Sequence, residues 1–217
     1  MKIIVFGATG KTGRELVRQA LEAGHQVTAF VRDPAHLEVH HPRLEVAVGQ
    51  VTSDQAAVTS AVKGHDAVIT ALGTEQTVSG MRSPGLMSQA MPTIIRAMTD
   101  TGVDRLVSLS AFGVGDSRRE APLFLRIMYG LFLGRVFADK AVGEQLLRDS
   151  ELDWTLVYPV LLTDGPQTGG YRSDAHLQPG RRWRISRANV ADFMLSQLRD
   201  PSYSRKVAVL TFGVPGG

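Results

Sequence analysis

The chain contains no cysteine. Disulfides, thiolate metal sites and cysteine nucleophiles are therefore excluded, and the composition suits a reducing, cytoplasmic setting. Long apolar runs are missing as well. The opening stretch Met1–Phe6 is cut short by Gly7 and is too brief for a signal peptide. The most apolar internal stretch, 122–137, carries Arg126 and Arg135 and is too short and too charged to span a bilayer. Neither sign of charge dominates: 24 basic and 21 acidic side chains leave a formal net charge of +3. That excess favours small anions and gives no footprint for nucleic acid. The six histidines show no metal-ligand spacing, and His40-His41 reads as a solvated loop pair, so no metal is expected. Repeats, low-complexity tracts and linkers are absent too. With 217 residues, 43% of them hydrophobic, the chain can bury a core without staples, and we read 1–217 as one domain.

Short β-branched runs alternate with amphipathic stretches. Strands are expected at 3–6, 27–31, 44–48, 67–72, 106–109 and 156–160. Helices are expected at 12–23, after the Ser53-Asp54 cap pair, at about 85–101 and at about 137–150. Near-continuous apolar strands separated by helices imply an α/β fold, a doubly wound parallel sheet covered on both faces. Past about 160 the pattern becomes irregular, with turns at Gly165, Pro166, Gly169 and Gly170. A strand at 183–185, a helix at 188–198 and a strand at 207–211 follow. We read this tail as a small C-terminal lobe on the substrate side. Arg181, Arg182, Arg184 and Arg187 around Trp183 read as a hairpin-like strand with solvated arginines, and Ser186 as the cap of the next helix.

The most informative segment is Gly7-Ala8-Thr9-Gly10-Lys11-Thr12-Gly13, set between the first strand and the first helix. Gly7 permits the tight turn, Gly10 lets a pyrophosphate approach the backbone, and Gly13 lets helix and strand pack closely. The helix N-terminus then offers unpaired amides to the phosphates, with Thr9, Lys11 and Thr12 adding hydrogen bonds or charge. The spacing is too short for the phosphate loop of nucleotidases. After the second strand comes Arg32-Asp33-Pro34. An arginine at that place suits the 2′-phosphate of NADP, whereas the neighbouring acid keeps NAD open. NADP is the expected cofactor.

In order along nearly the whole chain, the glycine segment is joined by Val31-Arg32-Asp33, His65-Asp66-Ala67-Val68-Ile69, Leu72-Gly73-Thr74, Met87-Ser88, Ser110-Ala111-Phe112, Leu152-Asp153-Trp154-Thr155, Thr168-Gly169-Gly170-Tyr171 and Ile185-Ser186-Arg187. This set resembles the atypical short-chain dehydrogenases/reductases, a group that includes biliverdin-IXβ (flavin) reductase and the NmrA-like NAD(P)-binding proteins. The resemblance implies a Rossmann fold. It places Leu72, Gly73 and Thr74 along the cofactor ribose, Gln50 and Val51 beside adenine, and Met87 and Ser88 near the cofactor. Gln50 stands where family members often carry Asp. Ser110 falls beside the nicotinamide and the acceptor.

Ordinary members of this class use a Tyr and a Lys four residues apart to deliver a proton. Lys140 is present, but the residue one turn before it is Val136. That argues against alcohol–ketone chemistry and fits direct hydride transfer to a planar conjugated acceptor (a flavin, quinone or tetrapyrrole), with the proton drawn from solvent. Pro159-Val160-Leu161-Leu162 lacks the histidine that the mammalian reductase type carries after its proline pair, which weakens the case for a tetrapyrrole. Ser110 and Lys140 are the candidate catalytic residues. The apolar stretch 122–137 is expected to lie over the acceptor as a lid, and substrate-side elements are placed at about 112–137 and 160–187. A monomer or homodimer acting on a small molecule is the expected state; an NmrA-like sensor without turnover is the rival reading.

Overall fold

The computed structural model describes residues 1–73, 85–114, 134–175 and 183–213. The first strand, β1 (Lys2–Phe6), leads through the glycine turn into α1 (Lys11–Glu22), followed by β2 (Gln26–Val31) and β3 (Leu44–Val48). Then come α2 (Gln55–Val62), β4 (Ala67–Thr70), α3 (Leu86–Thr101), β5 (Arg105–Leu109), α4 (Gly134–Arg148) and β6 (Asp153–Pro159). The tail holds β7 (Leu161–Thr163), β8 (Tyr171–Asp174), β9 (Arg184–Ser186), α5 (Arg187–Ser196) and β10 (Lys206–Phe212).

Eight strands form one sheet in the order β3-β2-β1-β4-β5-β6-β10-β8. All pairings are parallel except β10 with β8. The order reverses between β1 and β4, which opens a crevice at the carboxyl ends of those strands. Ile3, Ile4, Val5 and Phe6 of β1 are fully buried, which is why this strand reads as an unbroken apolar run. On one side α1 packs against α5; on the other α2, α3 and α4 pack in sequence. Gln19 fastens the first pair by donating to the Ala188 carbonyl at 2.9 Å. Asp54 caps α2 through the Ala57 amide at 3.0 Å, and Ser186 caps α5 through the Asn189 amide at 3.1 Å, both as their sequence positions imply.

The tail is divided. Its strands β10 and β8 extend the main sheet, and only β7 and β9 form a separate ribbon. That ribbon is parallel, with Leu162 opposite Ile185, so the expected hairpin-like geometry around Trp183 is corrected. The reason is topological: a hairpin needs consecutive strands, and β8 intervenes in the chain between these two. Trp183 instead stacks edge-on against Phe112, with ring centroids 5.6 Å apart. The expected lid lies largely outside the described residues, α4 beginning at Gly134. Among the described residues no helix is long and apolar enough to cross a membrane, and no cluster of His, Asp or Glu is placed to hold a metal.

The junction of α3 and α4 is polar in one place. Gly143 of α4 lies so close to α3 that an added Cβ would sit 3.0 Å from that of Met87. There Asp139 of α4 accepts from the Met87 amide at 2.9 Å, the Ser88 amide at 3.0 Å and the Ser88 hydroxyl at 2.7 Å. A carboxylate from one helix thus caps the N-terminus of another. Burial pushes the Asp139 carboxyl up, but hydrogen bonds from Ser88, Met87 and Gly85 outweigh it, and the group rests below its ordinary range. Its folded pKa being depressed, the stabilisation is complete above the unfolded value, about 3.9, and is lost as pH falls through the folded value. Asp139→Ala should cost about 2 kcal/mol in urea denaturation at pH 7. The gap between variant and wild type should narrow in acid.

Candidate active site

Each parallel strand from β1 to β5 ends at residues singled out by the sequence. Gly7 follows β1, Arg32 follows β2, Gln50 and Val51 lie just past β3, Leu72 and Gly73 just past β4, and Ser110 follows β5. The sheet therefore collects them along one edge, beside the crevice where the strand order reverses. Thr74 lies outside the described residues.

The glycines have distinct duties. Gly7 has φ +83°, and a Cβ there would lie 2.6 Å from the Ala71 carbonyl oxygen, so the turn after β1 is pressed against the chain leaving β4. A Cβ on Gly13 would lie 2.0 Å from the Gly7 oxygen. Gly10 differs: its φ of −72° is ordinary, and an added Cβ would meet only the Gly7 oxygen, at 3.4 Å. The fold itself does not require glycine at this position. Its open side leaves room for a ligand to approach the backbone.

Helix α1 starts at this point without a side-chain cap and without an acidic residue in its first turn. The Arg14 amide bonds the Gly10 carbonyl at 2.8 Å, closing the first turn. The amides of Lys11, Thr12 and Gly13 precede that bond and face the crevice end of the helix. Around them, Thr9 uses its carbonyl to hold Arg14 Nε at 2.9 Å, and Thr12 is buried. Lys11 is exposed and pairs with Asp164 at 2.7 Å. Asp164 also holds Arg187 at 2.5 Å, and Lys11 and Arg187 together keep its carboxyl below the usual range. This bridge ties the segment after β7 to the glycine turn. Between β7, β9 and α5 lies a cavity of about 290 Å³, lined by Thr163, Asp164, Arg184, Ser186 and Asn189 among others.

Arg32 is exposed and has no hydrogen bond or ion pair with a described residue. Asp33 is already engaged. Its carboxylate accepts from the Ala35 amide at 2.9 Å and faces His36 Nδ1 at 3.6 Å, capping the short 3₁₀ turn Pro34–His36. Of the two candidates for the adenosine end, the arginine is the free one. Val51 is buried, and Gln50 is exposed with its carbonyl holding the Asp54 amide at 2.8 Å. A Cβ on Gly73 would meet nothing within 4 Å. The free amides, the open side of Gly10 and the unpaired arginine fit a dinucleotide carrying an extra phosphate.

At the far end of the crevice, Ser110 is buried and anchored by its amide to the Val157 carbonyl at 2.8 Å. Its hydroxyl donates to Glu144 of α4, which the sequence reading missed. Tyr158 is buried and donates to the other oxygen of the same carboxylate. It is a core tyrosine with no face left for a ligand ring. Lys140 is half-buried one turn before Glu144; burial lowers its pKa, against the pull of Glu144 and Asp139. The structure thus brings Ser110 and the Lys140 turn of α4 together. The Met87 side chain goes into the α3–α4 contact.

The fold and this cradle define an NAD(P)-binding protein with a Rossmann-like α/β fold. A family model described as NAD(P)H-binding matches residues 7–201, and the chain belongs to that family. The reductase pytE of Aspergillus terreus is 26% identical, over 97% of each chain. Among solved structures, the anaerobillin reductase ChuY of Escherichia coli O157:H7 is similar, with a TM-score of 0.78 at 22% identity over 100% of this chain and 98% of that one. A short-chain dehydrogenase/reductase of Veillonella parvula, solved in complex with NADP, gives a TM-score of 0.80 at 20% identity over 99% of this chain and 95% of that one. At these identities the structural likenesses speak for the fold.

Proposed function

We propose that the protein uses NADPH, in preference to NADH, to reduce a planar conjugated small molecule such as a flavin or quinone. The observation that carries this reading is the proton-donor arrangement. Val136 occupies the position one turn before Lys140, and Tyr158 is buried against Glu144. No described tyrosine is placed to protonate a carbonyl next to Lys140, so an acceptor that takes hydride directly suits the site better than a ketone. That ChuY is named an anaerobillin reductase agrees with a reductase reading.

When bound, NADPH supplies the hydride. The chain's own contribution is orientation. In this reading the amides of Lys11, Thr12 and Gly13 hold the pyrophosphate, and Arg32 grips the 2′-phosphate. Val51 and Gln50 flank adenine, Leu72 and Gly73 border the ribose, and Ser110 hydrogen-bonds the acceptor. A panel of FMN, a naphthoquinone and biliverdin, followed by loss of NADPH or NADH absorbance, is the test. Steady NADPH oxidation with FMN or the quinone, slower with NADH, is expected. Tight NADPH binding without turnover on any acceptor would replace this reading with that of a cofactor-binding sensor.

A further inference from the structure

Glu144 is the only buried acidic side chain among the described residues, 4% exposed. Its two oxygens are divided between two donors on different strand ends: Oε1 accepts from the Ser110 hydroxyl and Oε2 from the Tyr158 hydroxyl. Arg148, one turn further along α4, reaches the Tyr158 oxygen at 3.4 Å and lies over the Trp154 ring. Lys140, one turn earlier, and Arg148 act on Glu144 as positive charges. Helix α3, also packed on α4, brings no charged group to it among the described residues, and Asp139 acts on Lys140. Burial pushes the Glu144 carboxyl above its ordinary range, and the hydrogen bonds and cations do not cancel the effect. Burial and the Glu144 charge in turn push the Tyr158 phenol up, so it stays a donor.

We propose that Glu144 is a positioning residue that stores a proton behind Ser110 and decides whether the Ser110 hydroxyl points at the enzyme or at the acceptor. This inference rests on the reductase reading and adds the route of its proton. When Glu144 is ionised, the Ser110 hydrogen is committed to Oε1, and only lone pairs face the ligand. When Glu144 is protonated, it donates to Ser110 Oγ and frees that hydroxyl to donate outward. During reduction the acceptor receives the hydride and needs one proton. The Oγ–H bond of Ser110 breaks as a bond forms to the acceptor's basic atom, and the Glu144 O–H bond breaks to restore the Ser110 hydroxyl. Glu144 is left as a carboxylate facing Lys140 and Arg148, whose charge offsets its own, and regains its proton from water. The electrons are those of the hydride, and no other reductant enters.

The test has two readouts. The first is kcat against pH for reduction of FMN by NADPH. Wild type should lose activity as pH rises through the Glu144 titration. Glu144→Gln should lower kcat roughly 100-fold, the low end for general acid–base participation, and abolish that limb. Its Kd for NADPH should stay within about twofold of wild type, because Glu144 touches none of the cradle. Tyr158→Phe removes a hydrogen bond that favours the carboxylate, so it should move the limb to higher pH. A merely structural Glu144 would not produce that opposite shift. The second readout is the infrared band of a protonated carboxyl, followed over the same pH range as kcat. It should be present in wild type, absent in Glu144→Gln and displaced in frequency in Ser110→Ala. If no acceptor turns over but the band behaves in this way, the reductase reading fails and the Ser110–Glu144 switch stands. An unchanged pH limb in Glu144→Gln, or a wild-type protein without the band, overturns the proposal.

Discussion

Gly10→Ala should weaken NADPH binding by about 100-fold, with no measurable change in stability. The two halves of that expectation have separate causes. In the protein alone, the new methyl would meet only the Gly7 carbonyl oxygen at 3.4 Å, an ordinary contact, and the backbone at φ −72° accepts alanine without strain. In the complex, the same methyl would hold the pyrophosphate away from the amides of α1. Losing one or two charge-assisted hydrogen bonds at about 1.5–3 kcal/mol each gives a loss of that size. Gly13→Ala is the control and should behave in the opposite way. Its methyl would lie 2.0 Å from the Gly7 oxygen, so α1 must move off β1, at a cost of about 3 kcal/mol. Urea denaturation and fluorescence titration with NADPH, run on both variants, separate the effects. If Gly10→Ala binds NADPH like wild type, the pyrophosphate does not pass over this turn.

Arg32→Ala should reduce affinity for NADPH by roughly 30-fold and leave affinity for NADH unchanged, because a guanidinium–phosphate pair contributes about 2 kcal/mol. Elimination singles out this residue. Two charged residues follow β2, and only one is free: Asp33 is committed to the Ala35 amide and the 3₁₀ turn, whereas Arg32 has no partner among the described residues. An acid occupied in capping is a poor ligand for a ribose 2′-hydroxyl. Equal losses for both nucleotides in Arg32→Ala would mean that the arginine acts through general charge and does not read the 2′-phosphate.

The cofactor half of the site was legible because its chemistry is backbone chemistry. Glycines at fixed spacing between a β-branched run and a helix serve few purposes besides cradling phosphate, and strand β3 appeared at Leu44–Val48, where the sequence placed it. The tail was harder. Strand β8, Tyr171–Asp174, is a short polar edge whose residues alternate between half-buried and exposed, so its composition resembles a turn. Strand β7 has only three residues, and its parallel partner β9 lies far along the chain. Glu144 was hidden for a different reason. An acid on a helix reads as part of a solvated face, and the usual Tyr/Lys spacing points one turn back from Lys140, to Val136. One turn forward from Lys140 stands Glu144, on the same helix face, and that spacing was the available signal. Its burial depends on β5 and β6 bringing Ser110 and Tyr158 to it, which is tertiary information.

The proposed reading rests first on the cradle at the start of α1, with Arg32 beside it, as the place that holds the cofactor. Calorimetric titration of the wild-type chain with NADPH and with NADH tests it most directly. Saturable one-to-one uptake of both, tighter for NADPH, is the expected result. Absence of heat and of competition for either nucleotide would contradict the account at its root.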